Sequence, residues 1–176
     1  YYYRGYALID KKQFDPALLD FGKALELDKG MANAYHERGW IYNEKGQYDQ
    51  AMQELNQAAA LNPNDAATLS ERAFANRKLG RYNPAIQDAS QSLLLRPNHD
   101  ITLLQRALAN FAANQYVAAR LDFEALLKID PANAKALYGR GVLKKMSGDN
   151  SGDADIAAAM LKQSNIASTM ATDGVK

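Results

Sequence analysis

Cysteine is missing from the 176 residues. Its absence excludes disulfides, thiol nucleophiles and cysteine-ligated metal centres, and leaves the compartment open. No apolar run approaches the roughly 18 residues that a membrane-spanning helix needs, so no membrane insertion is expected. A surplus of one charge is missing too: 21 Lys plus Arg face 20 Asp plus Glu, with the signs mixed along both halves. That balance removes the basic face on which nucleic-acid or anionic-lipid binding would rest, and no nucleic-acid partner is expected. Glycine-rich phosphate loops are absent. Histidine occurs twice, at His36 and His99, far apart and with no nucleophile placed beside either. Asp149, Ser151, Asp153 and Asp155 alternate like the start of a calcium loop, but Ala154 stands where that loop needs glycine and Met160 where it needs glutamate. Capping of the following helix explains these acids better. The chain therefore reads as a non-enzyme with no cofactor and no metal. It starts at Tyr1 rather than Met, and reads as a processed or trimmed product.

What is present is a repeat. The stretch from Ala32 to Asp65 recurs every 34 residues, with Ala66, Asp100 and Ala134 opening later copies and a first copy lacking its opening residues. A small residue stands eighth in every unit, at Gly5, Gly39, Ala73, Ala107 and Gly141. Twelve residues later come Ala17, Ala51, Ala85 and Ala119, and three before each of these a ring: Phe14, Tyr48, Tyr82 and Tyr116. Helices cross closely only where neither carries bulk, so small positions with a ring wedge predict an antiparallel helical hairpin. The punctuation agrees. Gly46 and Gly80 follow the first helix, and Pro16 and Pro84 fall where the second begins, since proline is tolerated in a first helical turn. Between units, Asn62-Pro63-Asn64-Asp65, Arg96-Pro97-Asn98 and Asp130-Pro131-Ala132-Asn133 end one helix and offer caps for the next.

These residues resemble the tetratricopeptide repeat family, whose 34-residue helical hairpin carries small residues at its eighth and twentieth positions, rings near the seventeenth, and proline at the junction. The match covers about residues 1 to 162 in one register. Leu126 departs from it by filling a small position, Ala89 by replacing a ring, and Asn150 by standing where the fifth unit should have an aromatic. The resemblance implies an all-α fold, a right-handed α-solenoid of five helix-turn-helix hairpins, in one domain over residues 1–176. The units run about 1–31, 32–65, 66–99, 100–133 and 134–162, and residues 163–176 form a short capping helix and tail around Ile166 and Met170.

An arginine stands seventh in every unit: Arg4, Arg38, Arg72, Arg106 and Arg140. Sixteen residues after the first four lie Asp20, Glu54, Asp88 and Asp122, and Asp155 follows the fifth at fifteen. A cation always meeting an anion at the same place on its partner helix predicts an ion pair closing each hairpin, rather than a ladder for phosphate.

In the family, first helices line a concave groove. The ninth column here reads Tyr6, Trp40, Phe74, Leu108 and Val142, and the fifth reads Tyr2, His36, Ser70, Leu104 and Tyr138. Four residues apart, the two columns share one helical face. With Phe111 they make an apolar and aromatic stripe flanked by Asn43, Arg77, Lys78 and Lys145. A stripe at helical spacing is commonly core. Here the small residues and rings already occupy core positions, so burial and exposure both stand. If exposed, the stripe is a surface for a protein or peptide partner with apolar or aromatic side chains. The basic residues are too few to resemble the clamp by which some repeats of this family hold acidic C-termini.

The chain thus reads as a protein-interaction scaffold. Two alternatives stay open: a recognition or regulatory module cut from a larger enzyme or secretion apparatus, and a homodimer that buries Tyr1, Tyr2 and Tyr3. The segment GDADIAAA resembles bacterial repeat proteins, many of them exported, and leans the location toward the periplasm or outside the cell.

Overall fold

The computed structural model describes residues 1–175. Among these, eleven helices follow one another without a strand: α1 Tyr2–Asp10, α2 Phe14–Leu27, α3 Ala32–Glu44, α4 Tyr48–Leu61, α5 Ala66–Lys78, α6 Tyr82–Leu95, α7 Asp100–Ala112, α8 Tyr116–Ile129, α9 Ala134–Met146, α10 Gly152–Lys162 and α11 Ile166–Thr172. None of them is long and apolar enough to cross a membrane. The chain divides into two compact units, Tyr1–Arg81 and Tyr82–Lys176. The division falls inside the third sequence unit, leaving α5 at the end of the first and α6 at the start of the second. In the first unit α1 packs on α2, α2 on α3, α3 on α4, and α5 on both α3 and α4. In the second, each helix from α6 to α10 packs on the next, and α11 lies on α9 and α10. Helices contact near neighbours in sequence, as repeat folds do.

Each hairpin turn uses one left-handed residue at the same column. Gly46, Gly80 and Gly148 take φ of 70°, 73° and 82° there, and Lys12 and Asn114 take 56° and 60°. The turn closes with a bond from the next amide back to the first helix, as from Gln47 N to Tyr42 O at 2.8 Å or from Gln115 N to Asn110 O at 2.8 Å. That is a Schellman-type end, which satisfies carbonyls that a helix terminus leaves unpaired. At the junctions Asp65 accepts from Thr68 N at 2.9 Å and Asn133 from Ala136 N at 3.1 Å, as expected of caps.

The eighth column must be small. A Cβ on Gly39 would lie 2.5 Å from Leu55, and one on Gly5 3.0 Å from the Phe21 ring. Phe21, Leu55 and Phe123 are fully buried in the second helices. Phe123 also needs Gly139 on the next helix, where a Cβ would sit 2.3 Å from the ring. In the last hairpin, which lacks the aromatic, Gly141 and Gly152 bring α9 and α10 together instead: a Cβ on Gly152 would lie 2.4 Å from Gly141 O. One expectation is extended. The rings of Phe14 and Tyr48 also reach the next hairpin, meeting Trp40 edge-on at 5.8 Å and Phe74 at 6.0 Å between centroids, while Phe14 packs on the cluster of Ala17 and Phe21 as well. Tyr116 packs within its own, on Phe111 at 5.4 Å.

The arginine column behaves as expected at Arg4, Arg38, Arg106 and Arg140. Arg4 grips Asp20 through two bonds of 2.5 and 2.6 Å, and Arg140 grips Asp155 through two of 2.7 Å. Arg106 reaches Asp122 at 2.6 Å, and Asn110 adds a bond of 3.1 Å to the same carboxylate. Arg38 meets Glu54 at 2.8 Å, but Arg38 Nε and Glu54 Oε2 stay buried without a partner, and burial raises the Glu54 pKa more than Arg38 lowers it. Arg72 bonds Asn56 at 3.3 Å within the first unit. The aspartates Asp20, Asp122 and Asp155 are buried, so a lost arginine leaves a buried charge with too few partners. At the end, α11 and the residues after it bury Ile166, Met170 and Val175 completely, which is the cap expected there.

Two stability measurements test these points. In urea unfolding, Arg106→Ala is expected to cost about 2–4 kcal/mol, with much of that recovered when Asp122→Ala is added; strict additivity would show that the pair does not close the hairpin. Gly80→Ala is expected to cost about 1 kcal/mol through its backbone angle alone, since open space surrounds its Cβ position. Lys12→Gly should shift stability the opposite way by a few tenths of a kcal/mol, and a loss there would contradict the requirement.

Candidate functional site

The proposed stripe divides by unit, and the two parts differ in kind. In the first unit Trp40 and Phe74 are partly buried, each held edge-on by a ring from the preceding hairpin, and part of each ring stays exposed. Arg77 and Lys78 lie over the Phe74 ring, each 5.7 Å from its centroid, in the manner of cation–π contacts. Tyr2 rests on Phe21 with centroids 5.6 Å apart, and Tyr6 is 50% exposed. Ser70, Arg77 and Asn43 are buried. The Asn43 amide nitrogen donates to Glu71 Oε2 at 2.9 Å and to Glu71 O at 3.1 Å.

In the second unit the stripe is core. Leu108, Phe111 and Val142 are 1%, 7% and 7% exposed and belong to one hydrophobic cluster with Phe123, Leu126 and Met170. Leu104 and Tyr138 pack against it from the side. The physical reason is that the apolar faces of α7 and α9 join one cluster with the second helix α8 and with Ile166, Met170 and Val175 at the C-terminal end, so they are consumed by packing. Lys145 flanks nothing aromatic and pairs with Asp153 at 2.5 Å. Large exposed apolar side chains stand instead on second helices, such as Leu19 and Leu27 on α2 and Val117 and Leu121 on α8.

The polar groups of the first unit decide what chemistry is available. His36 Nδ1 lies 3.0 Å from Thr68 Oγ1 and 4.0 Å from Asp65 Oδ2. Burial lowers the His36 pKa more than Asp65 raises it, so the ring is neutral at neutral pH and the Asp65 approach is no ion pair there. Both contacts use one ring nitrogen, and Thr68 Oγ1 already donates to Asp65 at 2.5 Å. That arrangement is an α5 cap with a histidine beside it and lacks the nucleophile–base–acid order of a relay. His99 likewise sits at the start of α7 against Thr102 Oγ1, 2.7 Å away.

The acids near the C-terminal end are each committed locally. Asp149 accepts from Ser151 N at 2.9 Å, Asp153 binds Lys145, and Asp155 takes Arg140 and, at 3.0 Å, Lys144. The expected capping role is corrected in detail, because the α10 cap residue is Ser151 and its side chain makes no cap bond. Among the described residues no group of three His, Asp or Glu is placed to hold a metal ion.

Two further acidic residues of the first unit lie outside the stripe. Glu37 and Glu71 stand sixth in consecutive units, on α3 and α5, where the other copies have Tyr3, Gln105 and Gly139. Burial first, and the Glu71 charge second, push Glu37 up to about 7. Burial also raises Glu71, against the Asn43 bond. Their recurrence in one column was the available signal. Because the folded chain holds the Glu37 proton to higher pH than the unfolded chain does, stability falls as pH rises from about 4.5 to about 7 and stays reduced above it. Glu37→Gln is therefore expected to add about 1 kcal/mol to the unfolding free energy at pH 8 after allowing for solvent screening, read as a higher melting midpoint, and to change nothing at pH 4. An equal gain at both pH values would remove the charge as its cause.

Comparison with known proteins follows the same lines. Residues 39–80 match the family described as TPR repeat, and residues 21–53 the one described as tetratricopeptide repeat. Curated protein sequences give no match. Among solved structures, YrrB, described as a TPR protein with an unusual peptide-binding site, superposes with a TM-score of 0.81 at 22% identity, over 93% of this chain and 85% of its own. MamA from Desulfovibrio magneticus RS-1 gives 0.83 at 14% identity over 92% of both chains. The first TPR of Spaghetti (RPAP3), bound to an HSP90 peptide, gives 0.64 at 23% identity over 66% of this chain and 93% of its own. Hairpins in one 34-residue register, family matches that together span residues 21–80, and a fold shared over most of its length with solved TPR structures give this chain tetratricopeptide repeats and the fold of that family.

Proposed function

We propose that the chain is a protein-interaction scaffold without chemistry of its own, and that its first unit binds a peptide segment bearing bulky apolar or aromatic side chains. The observation that carries this reading is the pair of rings at Trp40 and Phe74. They occupy the same column of consecutive first helices, each is fixed by an edge-on ring from the preceding hairpin, and each keeps exposed surface. Fixed, partly exposed aromatics bind at little conformational cost, which is why they anchor interfaces. Tyr6, exposed on α1, and His36, one turn before Trp40 on α3, extend the same column pair. Likeness to YrrB, described with a peptide-binding site, and to an RPAP3 repeat bound to an HSP90 peptide supports the same class of partner.

Leu108, Phe111 and Val142 contribute to this function through stability, since their side chains are spent in the core. The test is a peptide selected on the wild-type chain from a random displayed library, with affinity read by fluorescence polarisation. Trp40→Ala with Phe74→Ala is expected to weaken it at least about tenfold while the helical circular-dichroism signal is kept. Unchanged affinity in that variant would discard the reading.

A further inference from the structure

The first unit carries an acidic pair that its own residues do not neutralise. Glu37 on α3 has no hydrogen-bond or ion-pair partner among the described residues, and the charge acting most strongly on it is that of Glu71, a like charge. Glu71 on α5 receives one side-chain donor, the Asn43 amide, and feels Glu44 as a further negative charge. The hairpin carboxylates of the same unit behave otherwise, with Asp20 and Glu54 each meeting an arginine. Two half-buried acids without a cation are costly to keep ionised, and a fold has no packing reason to place them together.

A second, independent observation comes from Asn43. The residue is 4% exposed, and its amide nitrogen is committed to Glu71 while its oxygen Oδ1 is buried with no partner. An amide holds its two polar atoms close together, so the orphan oxygen lies beside the carboxylate that the nitrogen touches. A buried acceptor without a donor costs about 1–3 kcal/mol, and this one adds to a neighbourhood that already has acceptors in excess. What is missing is a donor with positive charge. Burial first and the Glu37 charge second raise the Tyr2 phenol pKa, so this aromatic side chain lies within electrostatic reach of Glu37. Rings and carboxylates together are the usual surroundings of an organic cation.

We propose that Glu37, Glu71 and Asn43 together receive the ammonium or guanidinium head of one lysine or arginine side chain on the bound segment. This rests on the peptide-binding reading above and adds its charge. Glu37 precedes Trp40 by three residues on α3, so the two lie on neighbouring positions of one helical face. The segment that fits therefore carries a basic residue next to a bulky apolar one. An acidic segment would meet two uncompensated carboxylates, so the site selects against it.

The probe is a series of acetylated, amidated octapeptides with a Trp-Leu core and Arg, Lys, citrulline, norleucine or Glu at each flanking position, titrated by fluorescence polarisation. On the wild-type chain, the Arg and Lys peptides are expected to bind at least about tenfold tighter than the citrulline and norleucine peptides, with Glu weakest. Glu37→Gln with Glu71→Gln should erase that preference while leaving the norleucine affinity in place. Because both glutamines keep the side-chain shape, folding is checked by the same helical signal and by retained norleucine binding. Loss of the preference in the wild type, or its survival in the double variant, overturns the proposal. Trp40→Ala separates it from the parent reading: weakening of the whole series with the basic preference kept supports both. A series insensitive to Trp40 with the preference intact sinks the aromatic anchor alone. Trp40-dependent binding with no basic preference sinks the cation site alone, and no binding by any member sinks both.

Discussion

A carboxylate taken out of water must meet a cation or enough donors, and this requirement recurs through the structure. Asp20, Asp122 and Asp155 sit on second helices where a hairpin buries them, and an arginine from the first helix reaches each one. The guanidinium fork suits the task because one group satisfies both carboxylate oxygens. Small residues set the distance over which this works. Gly5, Gly39 and Gly141 sit one residue after the arginine, and their missing side chains let the helices approach until the fork reaches the acid. Close contact and ion pair thus depend on the same pair of adjacent residues.

Much of this was legible because it repeats. A column of five arginines with acids fifteen or sixteen residues on has one simple explanation, and the bonds of Arg4, Arg38, Arg106 and Arg140 agree with it, including that to the shifted Asp155 of the last hairpin. Turn residues were readable where they are glycine, at Gly46 and Gly80, and not at Lys12 or Asn114, which adopt the same backbone without advertising it. The rings of Phe14 and Tyr48 were visible, but their direction was not. A seventeenth-column side chain can turn toward its own hairpin or the next, and only packing decides. The stripe was legible as a pattern and not as a surface. Trp40 and Leu108 occupy the same column, and what separates them is how far their neighbours close over them. Val175 was invisible as core, since nothing periodic marks it.

The two compact units use the same hairpin to different ends. In the second, Leu103, Leu108, Phe111, Leu137, Val142 and Leu143 on the first helices join one large cluster, closed by α11. In the first, the equivalent helices carry His36, Glu37, Asn43, Ser70 and Glu71, and the hydrophobic clusters are smaller. Polar residues on a helix that packs on both sides weaken a core. They are concentrated in the first unit, which also carries the edge-held rings of Trp40 and Phe74.

Contact between near neighbours has a kinetic meaning as well. The tertiary bonds of the first unit close loops of 16, 28 and 32 residues, from Arg4 to Asp20, Asn43 to Glu71 and His36 to Thr68. Loop-closure entropy grows slowly with such short spans, and a low contact order goes with rapid folding. A hairpin can gain its arginine–aspartate lock soon after its second helix leaves the ribosome, before the next one exists. The same locality means that the chain can open hairpin by hairpin, so amide exchange should be graded along it and not a single value for the whole.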